Sequence, residues 1–168
     1  MGLYYAETIS TILGKRMTYN KSKNKGTRAE SAAKEILHKY TGLNWQRTPL
    51  SGALDAKHGL KSDLYIPDAK NNYCVEVKHY KDEHFNTSLF TGKNPQLIDW
   101  WEQAVRQGQQ VGRKPLLLFK HDRSKWFAAF QDMPGYNYRF VFVNFEPHEF
   151  YVATLDDYLQ FEQPKFVS

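Results

Sequence analysis

The residues best suited to chemistry lie close together in the chain. Asp63 sits in Ser62-Asp63-Leu64-Tyr65-Ile66-Pro67, and Glu76 and Lys78 sit in Tyr73-Cys74-Val75-Glu76-Val77-Lys78. Two carboxylates and a lysine on a rigid support can bind Mg²⁺ and steer a water at a phosphodiester. Carboxylates hold the ion while leaving some of its waters in place, and the ion neutralises charge in the transition state. The lysine orients the water or stabilises the developing negative charge. An acid, any residue, then lysine is a weak signal by itself, and it occurs at Asp55-Ala56-Lys57, Asp68-Ala69-Lys70 and Glu76-Val77-Lys78. The first two fall in expected loops with no apolar strand to hold them. Only the third is embedded in a strand, with an aspartate-bearing strand before it, so position selects it.

The elements that must position these groups follow from periodicity. The two apolar stretches read as neighbouring strands joined by the turn Asp68-Ala69-Lys70-Asn71-Asn72. Alternation puts Cys74, Glu76 and Lys78 on one face and Tyr73, Val75 and Val77 on the other. Upstream, Ala29, Ala32, Ala33, Ile36, Leu37 and Tyr40 form a helical stripe over 27–40, ended by Thr41-Gly42. Glu30 lies at its border. The helix alone reads Glu30 as a surface residue paired with Lys34, and the alternative is that it points inward at a site.

A first strand is expected over 45–50, closing on Ser51-Gly52, followed by a loop from 53 to 61. After Lys78 comes a polar stretch, 79–94, whose His79 and His84 read as solvated. Pro95 opens a second helix with Leu97, Ile98, Trp101, Ala104, Val105 and Val111 on its apolar side, ending at Gly108 or Gly112. Trp100-Trp101 reads as packing on the sheet, ahead of a base-stacking platform. Strands follow over 115–119, 126–130 and 139–145. Thr154-Leu155-Asp156-Asp157 has the form of a capping box and starts a short final helix. The order α-β-β-β-α-β-β-β-α predicts a mixed sheet flanked by helices. His121-Asp122 and His148 have no partner at metal-ligand spacing.

Length and composition are compatible with that plan. At 168 residues the chain fits one domain with its own core, and 41% hydrophobic residues argue against disorder. The expected organisation is a basic arm or extension over 1–24 and one domain over 25–168, with 131–168 a C-terminal extension of it. A net charge of +5 suits an anionic partner or an ordinary solvated surface. The arm region carries Lys15, Arg16, Lys21, Lys23, Lys25 and Arg28. It is either a solvated tail or a segment that lies along phosphates without choosing sequence. Cys74 is the single cysteine, so a disulfide framework is excluded and a reducing compartment expected. No run approaches the ~18 apolar residues of a membrane span. The first residues lack a secretory pattern, so a cytoplasmic protein, or one in the host cytoplasm if viral, is expected.

The set Lys25-Gly26-Thr27-Arg28-Ala29-Glu30, Ser51-Gly52, Asp63 and Glu76-Val77-Lys78 resembles the PD-(D/E)XK nuclease superfamily. Within it the pattern is most similar to archaeal-type Holliday junction resolvases, over roughly residues 25–130. The resemblance implies an α/β restriction-endonuclease-like fold, a central mixed β-sheet flanked by helices. It implies a Mg²⁺-dependent endonuclease, with Mn²⁺ as substitute, acting on branched or four-way-junction DNA as a homodimer. Carried over residue by residue, Glu30, Asp63 and Glu76 are the acidic, metal-holding cluster, Lys78 the catalytic lysine and Ser51 a supporting hydroxyl. Lys23, Lys25, Arg28 and Lys81 are the expected DNA contacts.

Two departures from that pattern stand out. The loop between Ser51 and Asp63 is longer than in those resolvases. Beyond Phe130 the chain adds an aromatic-rich segment (Tyr136, Tyr138, Phe140, Phe142, Phe145, Phe150, Tyr151) that reads as extra sheet and core, or as a remodelled dimer or DNA surface. The rival readings are a restriction-like, nicking or flap nuclease on the same site, and a non-catalytic nucleic-acid-binding module on that fold. The module reading does not explain three clustered carboxylates near phosphate.

Overall fold

A computed structural model describes residues 25–49 and 61–168. A helix over residues 25–41 (α1) leads into two short strands, β1 (Gln46–Arg47) and β2 (Leu64–Tyr65), and then the long β3 (Tyr73–Tyr80). A short helix α2 (Ser88–Thr91) precedes α3 (Gln96–Val111). Strands β4 (Lys114–His121), β5 (Phe127–Phe130), β6 (Val141–Phe145) and β7 (His148–Thr154) follow. The chain closes with α4 (Leu155–Asp157), which widens into a π-helical turn over Tyr158–Glu162.

The strands form one seven-stranded sheet in the order β1-β2-β3-β4-β5-β7-β6. All pairings are antiparallel except β3 with β4, at the centre of the sheet. That parallel pair needs a crossover, and α3 supplies it. Together the mixed sheet and its flanking helices make an α/β, restriction-endonuclease-like architecture.

The alternation of β3 divides the core as the residue types require. Val75 and Val77 pack with Ala29, Ala33 and Leu37 of α1. On the opposite face Leu117 and Phe119 of β4 pack with Leu97, Trp101 and Ala104 of α3. Trp101 stacks on Phe150 of β7, with ring centroids 4.7 Å apart. Each such fully buried ring contributes roughly 1.5–3 kcal/mol. Trp100 is buried as well, so both tryptophans serve packing. Cys74 is fully buried, and that burial pushes its thiol up to about 12.

Several expectations are adjusted. The second helix continues past Gly108, where a Cβ would meet the Arg113 carbonyl oxygen at 2.6 Å, so glycine there lets helix and strand approach closely. It stops at Gly112, whose φ of 64° is the left-handed cap that glycine adopts without strain. Strand β6 begins at Val141, later than the expected Arg139. The aromatic run beyond it makes a second strand, β7, that the expected order lacks; it pairs on both sides and so lies inside the sheet. Thr154 caps the last helix by accepting from the Asp157 amide at 3.3 Å. Among the described residues no helix is long and apolar enough to cross a membrane.

Candidate active site

Strand β2 has only two residues in regular pairing because side chains take over its ladder. The Asp63 amide donates to the Val75 carbonyl at 2.8 Å, and the Val75 amide donates to the Ser62 hydroxyl oxygen at 2.7 Å. One step on, the Val77 amide donates to Asp63 Oδ2 at 2.8 Å. A backbone donor of β3 therefore pins the Asp63 carboxylate. Asn71 holds the turn rigid from below, accepting from the Ile66 amide and donating to the Ile66 carbonyl, both at 2.8 Å. Mid-strand on β3, Glu76 is only 3% exposed.

Asp63 and Glu76 lie within hydrogen-bonding reach of each other. Loss of water raises both carboxyls above the usual range, and the Asp63 charge raises Glu76 further. The nearby Lys78 ammonium pulls both in the opposite direction. The pair therefore retains a proton where two free carboxylates would have none. Lys78 leaves β3 on the Glu76 face and is half-exposed at the mouth of the site.

Glu30 points inward from α1. Its Oε2 accepts from Arg47 Nε of β1 at 2.8 Å, and Arg47 Nη2 reaches Thr27 Oγ1 at 3.4 Å. The expected partner Lys34 instead meets Glu35 at 3.7 Å. The correction has a simple cause: the turn-spaced pair competes with a guanidinium that the sheet brings to the buried side of the helix. Burial raises Glu30, the Arg47 hydrogen bond opposes this, and the Asp63 charge adds to it. Among the described residues no three His, Cys, Asp or Glu side chains close on one point as a finished metal cage. The structure thus joins Asp63 and Glu76 directly and brings Glu30 to them through its field. Mg²⁺ needs only one or two carboxylates because it keeps several waters, so the buried pair fits it.

The sequence pointed to none of Gln103, Gln107 and Arg47 as part of the site. Turned so that its hydrogen bonds are satisfied, the Gln107 amide donates to Glu76 Oε1 and to the Lys61 carbonyl at 3.1 Å. Its oxygen accepts from Gln103 Nε2 at 3.1 Å. The usable signal was spacing: Gln103 and Gln107 stand four apart on one side of α3. Arg47 carried no signal of its own.

Of the expected DNA contacts, Lys25 and Lys81 line a cavity of about 290 Å³ together with Lys78 and Tyr80. Arg28 is exposed on α1. Lys23, Ser51 and the arm over 1–24 lie outside the described residues. His79, expected to be solvated, instead meets Asp122 Oδ1 through Nε2 at 2.8 Å, and Lys25 Nζ holds the same oxygen at 3.0 Å. His84, also expected in solvent, packs edge-on against Trp100.

Residues 21–160 match the model of a family described as "Phage putative PDDEXK endonuclease". The chain is also similar to Protein D14 of Escherichia phage T5, with 44% identity over 111 residues, 64% of this chain and 69% of that protein. No solved structure matches.

Proposed function

Because the chain belongs to the phage PDDEXK endonuclease family, we propose that it is a Mg²⁺-dependent DNA endonuclease, with Mn²⁺ as a working substitute. Its proposed substrate is branched DNA, of the four-way-junction kind that resolvases cut. The observation carrying the chemistry is the buried Asp63–Glu76 pair with Lys78 beside it on β3. Two buried carboxylates in mutual reach lack a positive charge, and a proton makes up the deficit until a cation replaces it. Bound there, Mg²⁺ supplies charge neutralisation at the phosphate and a water of lowered pKa.

The other steps belong to the chain's own residues. The Val77 amide fixes Asp63 so that its second oxygen keeps one direction. Gln107 fixes Glu76 in the same way from α3. Lys78 favours the ionised form of both acids and is placed to orient the attacking water or to stabilise charge on the phosphate. Glu30, held by Arg47, adds a carboxylate at the edge of the site through a water. Ser51 is assigned a hydrogen bond near the cleaved phosphate. Lys23, Lys25, Arg28 and Lys81 grip neighbouring phosphates and carry no sequence information. Cutting two strands symmetrically requires two such sites, so the acting species is a homodimer.

The test is cleavage of labelled four-way junction, flap and plain duplex of one sequence, in Mg²⁺ and in EDTA. Paired, Mg²⁺-dependent cuts near the junction centre, absent in Glu76→Gln, are expected. Mg²⁺-dependent cutting with no junction preference removes the resolvase reading and leaves a nicking, flap or restriction-like nuclease. Intact binding with no cutting of any substrate overturns the catalytic reading.

A further inference from the structure

Tyr80 ends β3 two residues beyond Lys78, so its side chain leaves the sheet on the same face as Glu76 and Lys78. It is 43% exposed, an unusual place for a large ring beside a charged site. An exposed tyrosine at a strand end normally samples several rotamers, but this one is braced. Its ring lies on Trp100 of α3 with centroids 4.8 Å apart at 39°. His84 sets its edge against both rings, 5.8 Å from Tyr80 at 87° and 5.1 Å from Trp100 at 81°. Trp100 is itself 3% exposed and part of the α3-side core. The brace is therefore anchored in the core, and Tyr80 is held out in water by packing.

The surroundings indicate what covers it. Tyr80 lines a cavity at the end of β3 with Lys78 and Lys81, while Val77, His79 and the Asp122-bound Lys25 line its α1 side. Cations that hold phosphate beside an aromatic ring are the composition of a groove for unpaired nucleotides, in which the ring stacks a base of any identity. Two strand residues span roughly 7 Å, so a base on Tyr80 belongs to the nucleotide adjoining the phosphate that Lys78 serves. A base inside continuous duplex is covered by its neighbours on both sides and has no face to offer.

We propose that Tyr80, backed by Trp100 and His84, is a stacking platform that selects DNA with an unstacked base beside the cut phosphate. The substrate class is accordingly DNA at a branch point or a single-strand boundary, in preference to continuous duplex. This inference rests on the nuclease reading of the Asp63–Glu76–Lys78 site. Stacking one base this way changes affinity by about tenfold or more on alanine substitution.

The experiment compares kcat/KM on branched DNA with kcat/KM on duplex for wild type, Tyr80→Ala, Tyr80→Leu and Tyr80→Phe. A 2-aminopurine at the nucleotide beside the cut reports stacking by its quenching, read in the Glu76→Gln background so that the DNA stays whole. The branched-to-duplex ratio should fall about tenfold in Tyr80→Ala and Tyr80→Leu and persist in Tyr80→Phe, with quenching lost in step. Tyr80→Leu keeps the apolar contact with Trp100, so it carries the test if Tyr80→Ala does not fold. An unchanged ratio in a folded Tyr80→Leu, an equal loss on both substrates, or a loss in Tyr80→Phe as large as in Tyr80→Leu would each overturn the platform. A wild type that cuts in Mg²⁺ without preferring branched DNA overturns the platform alone. A wild type that cuts nothing overturns the nuclease reading beneath it.

Discussion

Glu76 and His79 are three residues apart on β3, leave the sheet on opposite faces, and meet opposite electrostatics. On the α3 face, Glu76 is buried against a second acid, and both carboxyls are driven upward by lost hydration. On the α1 face, His79 meets Asp122, whose oxygen is shared with Lys25. That aspartate is held below its usual range, first by the Lys25 hydrogen bond and then by His79. Desolvation lowers His79 against the pull of Asp122. One cluster pairs opposite charges at the surface, where water screens them. The other sets two acids together where water cannot screen them, and in the proposed reading a cation would complete it. Position in the same strand does not separate the two; depth and partner do.

The strongest way to break this contrast is to neutralise one acid on each side. Glu76→Gln or Asp63→Asn should reduce Mg²⁺-dependent cleavage by more than about 100-fold, beyond the loss typical of an outer-shell partner. The same changes should raise metal-free thermal stability at neutral pH, by on the order of 1 kcal/mol, because an acid whose ionised form burial penalises is removed. Asp122→Asn should leave cleavage at the wild-type order of magnitude, since a screened surface pair contributes little. If Asp122→Asn were as damaging as Glu76→Gln, the contrast would be wrong.

Next in size is the pH dependence. Glu76 and Asp63 have native pKa values raised above the ordinary 4.5 and 3.8. The native state then binds more protons than the unfolded chain between the ordinary and the raised values. The pair's contribution to stability is therefore most favourable at acid pH and declines as pH rises through the raised values. Cation binding needs the ionised pair, so stabilisation by Mg²⁺ should grow over the same range. Melting temperatures at pH 5 and pH 8, each in EDTA and in Mg²⁺, measure both slopes. Metal-free stability that rises with pH throughout would contradict the shared proton.

A smaller effect is expected at the amide that holds Glu76. Gln107→Ala should weaken Mg²⁺ response by about 10–100-fold, the usual cost of losing an outer-shell partner, with a titration of cleavage against Mg²⁺ as the measure. Gln107→Glu should be worse, since it adds a third acid beside the pair. Smallest are the lysines of the cavity. Lys25→Ala and Lys81→Ala should each flatten the salt dependence of DNA affinity by about one counterion, with cleavage of bound DNA little changed.

Local rules made a good part of this legible. Alternation placed Glu76 and Lys78 on one face of β3 and the valines on the other, because strand side chains follow a period of two whatever surrounds them. The turn at Asn71, the Thr154 cap and the packing role of Trp101 were readable for the same kind of reason. The aromatic run beyond Phe130 was readable as added sheet, but not that it forms β7 between β5 and β6, since that depends on which strands pair with it. Glu30 was ambiguous within its helix, where Lys34 is its near neighbour in sequence. The choice of Arg47 depends on how β1 returns beneath α1.

The sequence by itself determined which residue types share a strand face, that α3 ends at one of two glycines, and that an acid–lysine set stands on one sheet. Only the tertiary structure decided that Asp63 and Glu76 lose their water together, that Gln107 reaches them from α3, and that Tyr80 is braced in solvent by Trp100. Side-chain direction is a property of a few neighbouring dihedrals. Desolvation and charge coupling depend on what distant segments bring within a few ångströms, and no local pattern encodes that.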